Sequence, residues 1–598
     1  MITVIPFQVQ YFVENQRNNK FAGLVIAISL ICFILYGSLF YYGQAYVRKV
    51  GAYDRPKTFR FYFKILSAWT WFNSCVKINF TIPFAKKRQH IYIQPSIFIF
   101  AFSYICVLGL LTYNETLDLN YEPRYYVIGK KLGKLAVANL PVLFLSITKS
   151  DTISLITGLP AYKIVFLHRW LGRLIYCMIL VHLSLTITYW LKLKFIIMLI
   201  IPPQIFGFIA FSAFTLLVAL SAGVVRRISY EFFLFNHGVL SFIMMLLAFF
   251  HNPEGRVWIV IAVHIVVIDR VIAAIRFTIA RKLSPTKGIA RLKVLDDCTV
   301  ELRINTQSHK YFAEKWKHNR VGKLIIPYLP TYGTWKCGQF VYLRIGSVRR
   351  LQWHPFSIAS LPEEKELRLV IKKYSGFTKS LHAQVAKFQH EGEKDEVEMK
   401  ILYHGPYGGH IQPLITFDSV LFIAGGSGAS CILPLAADLA QQIKSRNECG
   451  DMFARPEKCL IKVVWYIRRE QDMSWFSHLL SKLTAEGQQN VCVEIYVTGE
   501  RLEESEVESN KYLHETSQER DNIAEISTGY RIFYYKRDLE QLLKFEVGEC
   551  MENSETKSMA VVTCGPNSMA PILKYECQKA RKQYHSLDLY FHSESYSN

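Results

Sequence analysis

No Cys-x-x-Cys pair occurs anywhere in this sequence. Its 13 cysteines are scattered without metal-type spacing, which argues against an iron–sulfur cluster and gives no basis for a disulfide framework. Acidic residues are scarce, 48 against 70 Lys and Arg, for a formal charge of +22. That excess would suit a nucleic-acid binder, but there is no long basic tail. The basic residues gather beside apolar runs instead: Arg48, Lys49, Arg55, Lys57, Arg60 and Lys64; Lys86, Lys87 and Arg88; Arg226 and Arg227; Arg276, Arg281 and Lys282. The positive-inside rule leaves such clusters at the cytoplasmic ends of membrane spans, so nucleic acid is not the expected partner. An early apolar segment is also missing. The first twenty residues carry Glu14, Arg17 and Lys20, and the first apolar run, Phe21 to about Gly43, is too long for a signal peptide and reads as a spanning helix. No retention or vacuolar signal assigns a particular membrane.

Long apolar runs are plentiful. The chain is 51% hydrophobic and 14% aromatic, and most of that apolar content falls within residues 21–280, while 281–598 reads as an ordinary soluble sequence. Seven runs, near 21–43, 91–113, 125–147, 164–190, 205–225, 232–251 and 256–280, are each long enough to cross roughly 30 Å of hydrocarbon as a helix. The third is the weakest, because Lys130, Lys131 and Lys134 interrupt its start; those lysines must face protein or snorkel. Charge placement puts loops 44–90 and 226–231, and everything after 280, in the cytoplasm, with the N-terminus and loops 114–124 and 252–255 outside. The sequon Asn114-Glu115-Thr116 falls in an outer loop and predicts a glycan there; Asn79-Phe80-Thr81 falls inside and should stay unmodified.

Four histidines repeat one interval. His168 and His182 lie on one predicted span and His237 and His251 on another, 14 residues apart in each case. At about 100° and 1.5 Å per residue, 14 residues return to within roughly 40° of the same face and about 21 Å along the axis. A single intramembrane histidine is usually a hydrogen-bonded core residue. Two equally spaced pairs on facing helices instead form two bis-histidine sites stacked along the membrane normal, as two six-coordinate b-type haems need. His168 and His237 then serve the inner haem, and His182 and His251 the outer. His264 has no partner at this spacing. Arg169 and Arg173 are either propionate partners of the inner haem or inside-end anchors.

The segment His168-Arg169-Trp170-Leu171-Gly172-Arg173, together with the two histidine pairs, resembles the membrane domain of the fungal ferric and cupric reductases, flavocytochromes related to the NADPH oxidases. The resemblance covers about residues 90–598. The extra first span and the equal spacing of both pairs are more similar to the ferric reductases than to the oxidases.

In the soluble half, Gln339-Phe340-Val341-Tyr342-Leu343-Arg344-Ile345 and Leu367-Arg368-Leu369-Val370-Ile371 read as strands of an antiparallel barrel. Between them His354-Pro355-Phe356-Ser357 resembles the flavin-binding signature of the ferredoxin–NADP reductase superfamily. The resemblance implies that the backbone after Pro355 follows the flavin of FAD and that the Ser357 hydroxyl reaches its reactive nitrogen. Gly376-Phe377-Thr378 looks like the helix start that receives the FAD pyrophosphate, with Gly376 and Thr378 in contact. Gly405-Pro406-Tyr407-Gly408 is similar to the turn closing the flavin domain.

Further on, strand and helix alternate as in an open parallel sheet. Val420–Ala424 runs into Gly425, Gly426, Ser427 and Gly428, where glycines let backbone approach a pyrophosphate. In this family the end of the next strand, at Arg468-Arg469, holds the adenosine 2′-phosphate, so Arg468 favours NADPH over NADH. Cys564-Gly565-Pro566 resembles the turn that presents a thiol beside the nicotinamide, where Cys564 positions rather than attacks. Tyr596 matches the C-terminal aromatic that covers the flavin; a mobile tail is the competing reading. Residues 500–528, rich in Glu, Ser, Asn and Gln, read as a solvated, disordered insertion.

The expected architecture is therefore a multi-pass α-helical membrane domain of about seven spans followed by a ferredoxin–NADP reductase-like module. Its parts are an N-terminal span and loop (1–90), a haem domain (91–280), an FAD barrel (281–415) and an NADPH-binding α/β domain (416–598). The resemblance implies an oxidoreductase that takes electrons from cytoplasmic NADPH through FAD and two haems to Fe(III) or Cu(II) across the membrane, supplying a metal transporter. Oxygen as acceptor, giving superoxide, is the alternative. The membrane is the plasma membrane or an internal one. The long N-terminal region of many family members is not seen before the first span, so siderophore binding by such a region is not expected.

Overall fold

The computed structural model describes residues 7–51, 76–82, 87–93, 95–114, 123–148, 152–159, 161–283, 288–306, 335–349, 352–364, 366–449, 459–485, 490–499, 526–527, 529–552, 558–584 and 587–594. Outside these lie Arg55, Lys57, Arg60 and Lys64, Glu115 and Thr116 of the outer sequon, almost all of the 500–528 insertion, and Tyr596. The chain forms two compact units, one from 1–42 with 97–275 and the other from 43–96 with 276–598.

The first unit is helical. We label its main helices α1 (Phe7–Tyr36), α2 (Pro95–Tyr113), α3 (Arg124–Ala138), α4 (Leu140–Leu145), α5 (Ala161–Lys192), α6 (Pro202–Leu220), α7 (Tyr230–His251) and α8 (Arg256–Leu283). Five stretches are long and apolar enough to cross a membrane: Gly23–Arg48, Lys163–Lys192, Pro202–Leu220, Tyr230–His251 and Pro253–Ile275. Leu234, Phe235 and Phe242 on α7 are exposed, as lipid-facing side chains are. Two of the seven expected runs are covered differently. Run 91–113 is α2, whose described apolar stretch, Ala101–Tyr113, is shorter. Run 125–147 is α3 and α4, broken at Asn139. There Pro141 starts the second helix, and the Asn139 side chain donates to Leu135 O and accepts from Tyr104 Oη. The three lysines of α3 have two different surroundings. Lys131 is buried and donates to Asn114 O at 2.6 Å, and Lys134 pairs with Glu254, so both face protein; Lys130 lies over the Tyr126 ring. The core of this unit runs through Leu135, Val142, Leu143, Leu171, Ile175 and Phe214.

The second unit contains a hairpin absent from the sequence reading, β1 (Val76–Ile82) against β2 (Lys87–Ile93). Seven strands follow in two antiparallel sheets: β3 (Ile289–Asp296), β4 (Thr299–Asn305), β5 (Gln339–Arg344), β6 (His354–Ser357), β7 (Glu366–Lys372), β8 (Val397–Lys400) and β9 (Leu402–Gly408). Their orders are β7-β4-β3-β8 and β6-β5-β9. Leu292, Leu302, Leu343, Leu369, Ile371 and Leu381 fill the core they share. Helix α9 (Phe377–Gly392) packs beside them.

The last sheet has the order β13-β14-β12-β11-β10-β15-β16. Its strands are β10 (Ser419–Gly425), β11 (Leu460–Ile467), β12 (Val491–Val497), β13 (Ile526–Ser527), β14 (Tyr530–Phe533), β15 (Ser558–Cys564) and β16 (Asp588–Glu594), all parallel but for β13. Central parallel strands are covered on both faces, which is why Val420-Leu421-Phe422-Ile423-Ala424 is continuously apolar rather than alternating; all five are buried. From β10 the chain builds outward through β11, β12 and β14, then returns to add β15 and β16 on the other side. The crevice between the ends of β10 and β15 is thus a topological switch point. Helices α10 (Ala429–Cys449) and α11 (Met569–Gln583) follow the two turns that line it. Arg48, from the first basic cluster, is buried in this unit. It grips Asp588 at 2.7 and 2.9 Å and covers the Phe417 ring at 4.2 Å.

Candidate functional site

In the membrane unit α5 and α7 bring the four histidines together in the two expected pairs. The ring centroids of His168 and His237 are 6.4 Å apart, and those of His182 and His251 are 6.3 Å apart. An iron bound by one nitrogen of each ring at about 2 Å calls for centroids roughly 6.3 Å apart, so both pairs fit a bis-histidine haem.

Neighbouring helices occupy Nδ1 of all four rings. His182 Nδ1 meets Gly129 O and His251 Nδ1 meets Pro203 O, both at 2.8 Å. His168 Nδ1 meets Ser146 Oγ at 3.1 Å and His237 Nδ1 meets Ser221 Oγ at 3.0 Å. A carbonyl only accepts, so Nδ1 of His182 and His251 carries the proton and Nε2 keeps the lone pair that binds metal.

Two glycines provide clearance. A Cβ on Gly133 would lie 2.9 Å from His182 Nδ1, and one on Gly207 would lie 2.6 Å from His251 Nδ1. Sequence reading missed Gly129, Gly133, Gly207, Ser146 and Ser221. The one available signal was Gly129-x-x-x-Gly133, a pattern for close helix approach. His264 bonds back to Val260 O at 2.8 Å and joins neither pair. Arg169 and Arg173 are exposed.

In the second unit, strand pairing assembles the three flavin motifs. His354-Pro355-Phe356-Ser357 is β6, paired to one side of β5, and Gly405-Pro406-Tyr407-Gly408 lies in β9 on the other side. Because β6 is an edge strand, Pro355 costs no ladder hydrogen bond. The His354 ring stacks on Phe377 at 4.3 Å, joining the first motif to the helix start that holds Gly376 and Thr378. Gly376 has φ +65° immediately before α9, where an L side chain is strained, and Thr378 Oγ1 accepts from Tyr374 N at 2.9 Å. The backbone N–H groups that open α9 are thus placed for an anion. Ser357 is buried, in register with Phe340.

At the switch point, close approach explains the glycines. A Cβ on Gly428 would lie 2.2 Å from Cys564 O, and one on Gly425 would lie 2.6 Å from Pro566 Cδ. The turn Gly425-Gly426-Ser427-Gly428 and the turn Cys564-Gly565-Pro566 therefore touch through backbone. Cys564 is buried and lies in register with Glu594 of β16. The Cys431 thiol at the start of α10 hydrogen-bonds Cys564; that bond, with burial, pushes it well above its ordinary range, so it stays protonated. Sequence reading missed Cys431 and Glu594. Glu594, which accepts from His592 at 3.0 Å if that ring nitrogen bears a proton, is identifiable only once β16 is paired with β15.

The arginine pair at the end of β11 divides. The Arg469 guanidinium lies 3.3 Å from Asp472, 3.7 Å from Asp296 and 3.4 Å from Cys298 Sγ. Arg468 is exposed, and its carbonyl accepts from Gly499 N at 3.0 Å, fixing the mouth between β11 and β12.

Three family models match this chain in the order of these sites. A ferric reductase like transmembrane component covers residues 132–248, an FAD-binding domain 319–410 and a ferric reductase NAD binding domain 417–578. Ferric reductase transmembrane component 5 of Saccharomyces cerevisiae is 27% identical over 78% of this chain and 61% of its own length. The probable cell surface ferric reductase kap2 of Aspergillus oryzae is 24% identical over 62% and 48%, and ferric/cupric reductase transmembrane component 1 of Candida albicans 26% over 66% and 47%. The chain thus spans about half to three-fifths of the length of these relatives. The chain is similar to the ferric reductases in both its membrane part and its nucleotide-binding part.

Proposed function

We propose that this protein is a transmembrane metalloreductase that takes electrons from cytoplasmic NADPH and delivers them to Fe(III) or Cu(II) on the opposite side of the membrane, supplying reduced metal to a transporter. The observation that carries this reading is the pair of histidine couples, each at the separation a bis-histidine iron requires, stacked on α5 and α7. When bound, FAD and two b-type haems supply the conversion of a two-electron hydride donor into single-electron transfer across the bilayer.

The chain's own residues do the holding. His168 with His237, and His182 with His251, would hold the two haem irons. His354, Pro355, Phe356 and Ser357 line the flavin, and Gly376 and Thr378 receive its pyrophosphate. Gly425, Gly426, Ser427 and Gly428 admit the NADPH pyrophosphate, and exposed Arg468 pairs with the 2′-phosphate. Cys564, with Gly565 and Pro566, sets the nicotinamide against the flavin, and Tyr596 is the C-terminal aromatic assigned to the flavin. The domain limits 281–415 and 416–598, the cytoplasmic side of the second unit and a plasma-membrane location belong to the same proposal.

His182→Ala tests the haem assignment. It is expected to remove about half of the haem absorbance while NADPH oxidation by a soluble dye on the cytoplasmic side persists. Full haem content in this variant would contradict the ligand set.

A further inference from the structure

The four imidazoles are held by two kinds of partner. Those of the His182–His251 pair meet backbone carbonyls, fixed dipoles at 2.8 Å. Those of the His168–His237 pair meet serine hydroxyls, whose role is decided by where their own hydrogen goes. Ser146 Oγ donates to Leu143 O at 2.5 Å, and Ser221 Oγ donates to Leu217 O at 2.7 Å. A hydroxyl with its hydrogen so committed offers the ring only a lone pair, so Nδ1 of both histidines is the donor and Nε2 is left for iron.

The two serines are not equivalent. His168 Nδ1 has a second acceptor in Leu143 O at 3.2 Å, so loss of the Ser146 hydroxyl leaves it a backbone partner. For His237, Ser221 is the acceptor, and no second one lies within reach among the described residues. Ser221 is also well placed to hold still. It caps the C-terminus of α6, where its own N–H bonds Leu217 O at 3.0 Å.

We propose that Ser221 is the positioning residue of the His168–His237 haem: its hydroxyl fixes the tautomer and donor strength of His237, and so sets the potential of that haem separately from the other. The inference rests on the haem reading above. An acceptor on the distal N–H of a ligating imidazole makes it a stronger donor and favours the oxidised metal, so removing the acceptor raises the potential.

The test is a redox titration of the haem bands in membranes holding the full chain. With Ser221→Ala, one of the two haem components is expected to move upward by about tenfold in its one-electron equilibrium, about 59 mV, with the other unmoved. Ser221→Thr keeps a hydroxyl and is expected to titrate like the unsubstituted protein. Ser146→Ala is expected to shift less, because Leu143 O remains. Should Ser221→Ala fail to accumulate, Ser221→Cys, a near-isostere and weak acceptor, is expected to move the same component upward by a smaller amount. No shift in either substitution, equal shifts of both components, or a threonine variant that behaves like alanine would overturn the proposal. Absence of haem bands from the unsubstituted protein would instead defeat the haem reading and be recognisable as such.

Discussion

Arg469 is anchored by Asp472, Asp296 and Cys298, whereas its neighbour Arg468 is exposed at the end of β11. A guanidinium free to form a fork with a phosphate discriminates for the dinucleotide that carries one. Arg468→Ala is expected to raise the KM for NADPH by roughly tenfold, the loss of one charge-assisted contact, and to leave that for NADH within about twofold. Equal losses for both would remove the 2′-phosphate role. His478 belongs to the same scale. Its Nε2 is buried without a hydrogen-bond partner among the described residues, and burial, then the nearby Arg368, push its pKa from 6.5 down to about 4. The folded unit therefore binds fewer protons than the unfolded chain over that interval. The stability linked to His478 is complete above pH 6.5 and is lost as pH falls towards 4. Denaturant titrations of the full-length protein at pH 7 and pH 5 are expected to differ in that direction, and by less in His478→Gln. Sequence pointed to Arg468 but not to the different surroundings of Arg469, and it did not point to His478 at all. Adjacent arginines look alike until Asp296, which lies in another sheet, is brought beside one of them, and His478 acquires its environment only through packing.

At the scale of the element, the 14-residue interval on α5 and α7 was legible because helical geometry turns spacing directly into a shared face. What flanks those helices was not legible. α3 with α4 reaches His182 through Gly129 O and His168 through Ser146, while α6 reaches His251 through Pro203 O and His237 through Ser221. Each ligand helix is thus matched by a second helix that fixes its rings. Backbone carbonyls leave no trace in residue identity, and serine is too common in apolar helices to stand out. The lysines that made run 125–147 look weak find protein partners in Asn114 O and Glu254, which no hydropathy pattern encodes. Gly207→Val tests the flanking helix directly. Its Cβ would lie 2.6 Å from His251 Nδ1, so it is expected to cost the His182–His251 haem and about half the absorbance, with dye reduction by NADPH retained. Full haem occupancy would show that α6 does not set the ring.

For the whole molecule, a helical unit with two histidine pairs is joined in one chain to a unit with antiparallel sheets and a seven-stranded, mainly parallel sheet. This division was the easiest feature to read, because a membrane half and a soluble half differ in bulk composition. The strand order was recoverable only in outline. The β1–β2 hairpin escaped notice because it sits in a charged segment between apolar runs, and the placement of β16 beside β15, which brings Glu594 to Cys564, is a long-range pairing. The central claim concerns transfer of electrons from one face of the membrane to the other. Its most direct test uses sealed, oriented vesicles containing the full chain without oxygen, with NADPH on the side of the second unit and an impermeant Fe(III) chelate confined to the other. The account predicts Fe(II) on the far side at a rate set by NADPH and abolished by His182→Ala. NADPH oxidation that proceeds only when the acceptor shares its compartment, or that needs oxygen and yields superoxide without direct metal reduction, would contradict it.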